Sequence, residues 1–477
     1  MILAKAGHPE RQSGAPHPIP RPGAGVRRRP GRRRAVTFAL LCGGIWALAG
    51  CGGKSNEPIG TAAPVAGYFG SVAADEPRAT LAGRDVLANN GSAVDAAVAT
   101  AFTLAVTLPS RAGLGGGGAC LVHDQRAKKT EAILFPATAA TLDGRLPAGV
   151  PTMARGLYAM HARYGRLRWE QALAAAEGFA RFGHPVSRAL ARDLANDGER
   201  LAGDPELSAI LLGPGRAPLA EGTSLSQVAL AAALTRIRTA GPGDFHVGQS
   251  AREFAAAARA AGAAITAEDM RAAIPAWAAP AEMGFAQERL YLLPDPFSGG
   301  AATAGLWRRL AEGRDRWRSG AAAAPAPLAV ASGLDRASTG FVVTDREGSA
   351  VACVLTMGQP FGLGRSARGT GILLAPPADA ANTGTVSAAL LVNTNVNEFF
   401  LAVAGGGGVD APAATAAVMA ATLVGQQTLD RAYAGLDAGQ PARVNIVSCP
   451  AGAPRKSETC ATRTDPRGHG LAAYPGQ

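Results

Sequence analysis

The stretch Ser338-Thr339-Gly340-Phe341-Val342-Val343-Thr344-Asp345, then Arg346-Glu347-Gly348-Ser349, then Ala350-Val351-Ala352-Cys353-Val354-Leu355-Thr356-Met357, decides how this chain is read. Two β-branched, apolar runs flank a short polar turn containing Gly348, which is the pattern of a β-hairpin. Upstream, Ala321-Ala322-Ala323-Ala324-Pro325-Ala326-Pro327 is low in complexity and reads as a flexible linker. A hydroxyl pair therefore stands where a loose segment enters a strand. Taken locally, the simplest reading is an ordinary Ser-Thr at a strand start. The chemical alternative is self-cleavage there. A freed Ser or Thr supplies an attacking hydroxyl and, in its own α-amine, a base titrating near ~8.

The chain has 477 residues, 47% of them hydrophobic, enough for a large core in one or two domains. Its formal charge of +11 is unevenly placed. Residues 1–50 hold nine Lys/Arg against the single Glu10, so only three of the eleven charges belong to the rest. A nucleic-acid partner needs basic residues clustered on the folded part, and that class is set aside. Arg27-Arg28-Arg29 and Arg32-Arg33-Arg34 read instead as the positive region of a signal peptide, followed by an apolar run from Ala35 to Ala49. Leu48-Ala49-Gly50-Cys51 resembles a bacterial lipobox, which implies lipidation of Cys51 and a lipid anchor in the cell envelope, facing the periplasm. The alternative is a short membrane anchor with an incidental Cys, but fifteen residues are few for a span.

Of the six cysteines, Cys120 and Cys353 lie in apolar, strand-like runs and are expected as buried thiols. Cys449 and Cys460 bracket a short Pro/Gly-containing loop and form a candidate disulfide in an oxidising compartment, with free thiols the alternative. No Cys/His cluster has zinc spacing, so no metal and no cofactor is expected.

Several blocks carry a resemblance. Ser338 to Gly362 resembles the start of the small subunit of the gamma-glutamyltranspeptidase family. Ser338 stands at the nucleophile position and Thr339 at the next, and Gly348-Ser349-Ala350-Val351-Ala352, Thr356 and Phe361-Gly362 match. Gly340 replaces the family's His, Val342 a hydroxyl residue, Val354 the first Thr of a T-x-T pair, and Gly358 an Asn or Glu. Upstream, Asn90-Gly91-Ser92-Ala93-Val94-Asp95 resembles the family's N-G-G-N-A-V-D block. Here Ser92 and Asp95 form a capping-box-like helix start, a structural role. Gly113-Leu114-Gly115-Gly116-Gly117-Gly118 is no phosphate loop, since a strand follows it and no Lys-Ser/Thr does. It resembles the family's glycine run at the floor of the active site. Val150-Pro151 through Trp169, the Thr266-Ala267-Glu268-Asp269 capping box and Leu292 to Gly300 continue the likeness. His161, His184 and His246 are isolated and read as packing residues.

The departures fall on substrate recognition. Pro136 stands where the family carries an Arg that grips an α-carboxylate, and the nearest alternative is Arg145. Ala380 occupies the position of the amine-binding Asp, with Asp379 beside it, and counting back from the next motif puts the family's paired serines on Val386 and Ser387. Gly405-Gly406-Gly407-Gly408 matches a motif whose last two N–H groups, of Gly407 and Gly408, would form an oxyanion hole. Asp465-Pro466-Arg467-Gly468 resembles the family's closing motif.

The resemblance implies an α+β fold, a four-layer αββα sandwich of the N-terminal-nucleophile hydrolase type. It divides the chain into a signal peptide (1–50), a tether (51–66), a large-subunit-like region (67–337) whose linker near 319–337 is eroded, and a small-subunit-like region (338–477). It implies an amidohydrolase or acyltransferase, cut before Ser338 into two subunits of one chain. The enzyme would work through an acyl-Ser on a small-molecule or peptide amide, with altered glutamyl recognition. Thr339 is the alternative nucleophile, Thr356 a supporting hydroxyl, and Asp379 and Ser387 substrate-binding candidates. The competing expectation is an unprocessed, inactive envelope lipoprotein of the same fold, acting as a binding or structural module.

Overall fold

A computed structural model describes residues 70–141, 145–312 and 337–473. The signal and lipobox segment with Cys51, the tether and most of the linker before Ser338 lie outside the described residues.

The opening hairpin forms as its pattern requires. Strand β7 (Ser338–Asp345) pairs antiparallel with β8 (Ala350–Thr356), Ser338 opposite Thr356 and Thr344 opposite Ala350. Asp345 organises the turn, accepting the N–H groups of Glu347 and Ser349 at 3.0 Å each. Its other oxygen accepts the N–H of Ala93, which ties the hairpin to the start of helix α2 (Ala93–Thr107).

The hairpin sits inside a seven-stranded sheet that also contains β1 (Gly70–Ala74), β2 (Gly117–Asp124), β3 (Lys129–Phe135), β4 (Ala276–Ala278) and β13 (Leu471–Ala473). Its order is β13-β1-β7-β8-β2-β3-β4. A second, six-stranded sheet has the order β12-β11-β10-β9-β6-β5. Its strands are β5 (Ala281–Phe285), β6 (Glu288–Leu292), β9 (Ser387–Asn393), β10 (Glu398–Gly406), β11 (Arg443–Ala453) and β12 (Ala461–Arg463). Neighbouring strands pair antiparallel in both sheets.

Three apolar layers separate four structural layers. Successive strand side chains point to opposite faces, so each buried strand feeds two cores. In β7, Phe341 and Val343 join a core with α1 (Pro77–Ala88), α2, α3 (Met153–Tyr164) and α4 (Trp169–Phe182), while Val342 turns to the core between the sheets. That middle core holds Leu121, Val342, Val354, Leu390, Ala404 and Val447 from both sheets. The outer face of the second sheet buries Leu391, Leu401 and Val403 against Trp307 of the Ser298–Glu312 helix and Val418 of the Ala411–Leu423 helix. The architecture is a four-layer αββα sandwich, as the sequence implied. Phe341 is fully buried, and truncation to Ala would cost about 3–5 kcal/mol.

Both capping boxes form. Ser92 Oγ accepts from the Asp95 N–H, and Asp95 returns a bond to the Ser92 N–H while also accepting from Arg166 and Leu167. Thr266 and Asp269 do the same at the next box. One cysteine expectation is corrected. Cys120 and Cys353 are not separate thiols, since they lie directly opposite each other on β2 and β8 and are joined as a disulfide. Cys449 and Cys460 are also bonded. No helix among the described residues is long and apolar enough to cross a membrane.

Candidate active site

The two sheets bring the hydroxyl pair against the glycine turn. Ser338, the first residue of β7, is fully buried, and its Oγ accepts the N–H of Gly407 at 2.8 Å. The same hydroxyl donates to the Thr385 carbonyl at 3.4 Å. The preceding carbonyl, that of Ala337, takes two donors: the N–H of Met357 at 2.9 Å and the Thr356 hydroxyl at 3.0 Å. Gly358 N–H in turn donates to Thr356 Oγ1 at 2.9 Å. The Ala337–Ser338 peptide is therefore polarised at its oxygen, with a hydroxyl attached one residue on.

Gly407 begins the turn where β10 ends, with φ +99°, a conformation that suits glycine. A Cβ there would lie 2.8 Å from Nη1 of Arg111 and 2.9 Å from the Pro441 carbonyl. Gly408 is one residue on, and its carbonyl accepts the Ala411 N–H as the Ala411–Leu423 helix starts. The wall behind this turn is held by the closing motif. Asp465 accepts the Val444 N–H and the Arg467 guanidinium, which also donates to the carbonyls of Ala442 and Asp437.

Thr339 has a different partner. Its hydroxyl donates to Asp75 Oδ2 at 2.7 Å, and the Asn445 amide donates to Asp75 Oδ1 at 2.8 Å and to the Gly340 carbonyl at 2.7 Å. Burial pushes the Asp75 carboxyl up from its ordinary pKa, while the Thr339 and Asn445 hydrogen bonds and the Arg111 charge pull the other way. Asp75, Arg111, Asn445 and the Met357 N–H were not found by sequence reasoning. The available signal for one of them was an Asn inside the β-branched run Val444-Asn445-Ile446-Val447. Gly340 also gains a reason. A Cβ there would come within 2.7 Å of the Ala404 carbonyl carbon and 2.9 Å of the Gly405 nitrogen, so the sheets meet too closely for any side chain.

The substrate-side candidates are placed less directly. Asp379 is exposed and caps the short helix Ala380–Thr383, accepting the Asn382 N–H at 2.7 Å. Ser387 shares a 2.7 Å hydrogen bond with Thr303 of the Ser298–Glu312 helix, on the outer face of its sheet. The strand-end group that reaches Ser338 is instead the Thr385 carbonyl. The segments where the resemblance puts charged residues do meet, through the Ala378 N–H and the Ala137 carbonyl at 2.8 Å, but Pro136 and Ala380 beside them are neutral. Arg145 is exposed, near Gly262. Of the isolated histidines, His161 lies against Trp169 and Asp95, His184 contacts the Pro185 carbonyl, and His246 is buried against the Met270 carbonyl. Among the described residues, no group of three or more His, Cys, Asp or Glu is placed to hold a metal ion.

A family model described as gamma-glutamyltranspeptidase matches residues 79–315. Glutathione hydrolase 7 of Bos taurus is 40% identical over 216 residues, 42% of this chain and 32% of its own length. The glutathione hydrolase proenzyme of Escherichia coli (strain K12) is 31% identical over 290 residues, 56% of this chain and 50% of its own length. The chain thus spans about a third to a half of the length of these curated relatives. Among solved structures, the cephalosporin acylase from Bacillus halodurans superposes with a TM-score of 0.69 at 20% identity, covering 89% of this chain and 99% of that one, and so shares the fold. The sandwich is of the N-terminal-nucleophile type. With the glycine turn, the hairpin and the capped Ser92–Asp95 helix start in their expected places, residues 79–315 belong to the gamma-glutamyltranspeptidase family.

Proposed function

We propose that this chain is an amide hydrolase or acyltransferase that matures by cutting itself before Ser338 and then works through an acyl-Ser intermediate. The observation that carries this reading is the convergence of Met357 N–H and Thr356 Oγ1 on the Ala337 carbonyl, with Ser338 Oγ on the adjacent residue. In the cut, Ser338 Oγ attacks the Ala337 carbonyl carbon. The charge on its oxygen is met by those two donors, the bond to the Ser338 nitrogen breaks, and the hydroxyl proton passes to that nitrogen. Water then hydrolyses the Ala337 ester and leaves Ser338 with a free α-amine.

In turnover that amine takes the proton of Oγ as it attacks a substrate amide; the Gly407 N–H, which donates to Ser338 Oγ in the uncut chain, then donates to the substrate oxygen that becomes charged. The leaving amine takes the proton, and water or a second amine accepts the acyl group. Glutamyl recognition is altered in this reading. Its support is the neutral pair Pro136 and Ala380, and an Asp379 carboxylate already engaged as a helix cap. A site built for a charged head group loses several orders of magnitude of selectivity without its charged partners. The run from Arg27 to Cys51 supports a lipid-anchored, periplasm-facing location, which Cys51→Ala followed by membrane fractionation tests.

The activity test compares a gamma-glutamyl anilide with neutral acyl anilides. Turnover of the neutral compounds that Ser338→Ala abolishes is the expected result. A preference for the gamma-glutamyl compound by orders of magnitude would refute altered recognition. Absence of any turnover in a chain that also stays uncut would favour a binding module.

A further inference from the structure

Behind the Gly407 turn lies a small cleft of about 110 Å³, walled by the loop around Gln440 and by α5 (Arg188–Asp197). We propose that this cleft, lined by Arg111, Arg192, Arg443 and His469, binds a small oxyanion, a carboxylate or a phosphate. Its charges do not cancel internally. Asp193 is committed to Arg111, accepting Nε at 2.8 Å and Nη2 at 2.9 Å. Asp75 is committed to Thr339 and Asn445, which donate to its two oxygens. Asp465, the carboxylate on the far side of Arg443, is held by Arg467. The fields of Asp193 and Asp75 reach Arg192 and Arg443, but among the described residues neither guanidinium forms an ion pair with a carboxylate: Asp193 pairs with Arg111 and Asp465 with Arg467.

The Arg443 guanidinium donates to the carbonyls of Gln440 and Ala442 at 2.7 and 2.8 Å, which fixes its plane without neutralising it. His469 has its pKa lowered, first by burial and then by the surrounding arginines, so near neutral pH it offers hydrogen bonding rather than charge. A cleft of this size suits a single anionic group rather than a chain or a ring. Its position gives it consequence, since Arg111 abuts Gly407 and Asp75 accepts the Thr339 hydroxyl. In the amidase reading the occupant is an acidic group of the substrate. Binding itself does not depend on that reading.

The test is calorimetric titration of inorganic phosphate and of glutarate into the full chain at low ionic strength, repeated on Ser338→Ala. Saturable binding of at least one anion is expected in both proteins, and the tighter of the two assigns the source. Arg192 is exposed, so Arg192→Glu should leave thermal unfolding unchanged while weakening binding about tenfold or more, and Arg192→Lys should keep most of it. No saturable binding of either anion, or wild-type binding by Arg192→Glu, overturns the proposal. Binding in a chain that never cuts itself keeps the proposal and discards the amidase reading instead.

Discussion

Replacing Thr356 with Val removes one hydroxyl from the site and changes little in shape. In the uncut chain that hydroxyl donates to the Ala337 carbonyl at 3.0 Å and accepts from Gly358 N–H at 2.9 Å. Losing a neutral hydrogen bond costs about 0.5–1.5 kcal/mol, and leaving the buried Gly358 N–H without its acceptor about 1–3 kcal/mol. Folding stability should therefore fall by a few kcal/mol at most. The rate of cutting should fall further. As negative charge develops on the Ala337 oxygen, the missing donor is worth about 2.7–4 kcal/mol, or roughly 10²–10³ in rate. Met357 N–H remains, so cutting slows rather than stops. A time course of intact mass after synthesis gives the rate, and urea unfolding gives the stability. Thr356→Ser should restore most of the rate. Cutting by Thr356→Val within about threefold of wild type, a difference of less than ~1 kcal/mol, would refute the assigned role of this carbonyl.

Gly340→Ala should destabilise the chain by about 1–3 kcal/mol in denaturant unfolding, because the new Cβ meets the backbone of Ala404 and Gly405 across the sheets. Burial lowers the pKa of His123 and His246 to about 4 each, below the ordinary value near 6.5. Their share of stability is then present above pH ~6.5 and lost as pH falls toward 4, by up to ~3 kcal/mol each, since the unfolded chain binds protons first. His246→Gln should flatten the stability–pH slope in that window and leave the slope above it unchanged. The Cys120–Cys353 bond joins residues on opposite sides of the Ala337–Ser338 peptide. Cut protein should accordingly run as one band on a non-reducing gel and as two after reduction, whereas Cys353→Ala should give two bands in both.

The layers of the fold were legible through the family resemblance rather than through periodicity, since Phe341, Val342 and Val343 are all apolar although they alternate between two cores, whereas helix starts such as Ser92–Asp95 carry local caps. The hairpin that starts at Ser338 and the glycine turn were legible because each is a contiguous motif. Contacts between distant segments were not. Nothing near Arg111 in the sequence says that it abuts Gly407, and nothing near Asp75 says that Thr339 and Asn445 will donate to it. Cys120 and Cys353 looked like buried thiols because strand register, not local sequence, sets them opposite each other. Ser387 shows how sensitive this is. A one-residue step along a strand reverses the face, and its hydroxyl meets Thr303 on the helix side rather than Ser338 between the sheets.

Maturation of this chain turns on cleavage of the Ala337–Ser338 peptide, the step proposed above. Its most direct test is intact-mass analysis of the purified chain under reducing conditions, with N-terminal sequencing of the smaller fragment. Two fragments are expected, the smaller beginning at Ser338, with a single full-length mass for Ser338→Ala. A wild-type chain that keeps one full-length mass indefinitely, indistinguishable from Ser338→Ala, would contradict it.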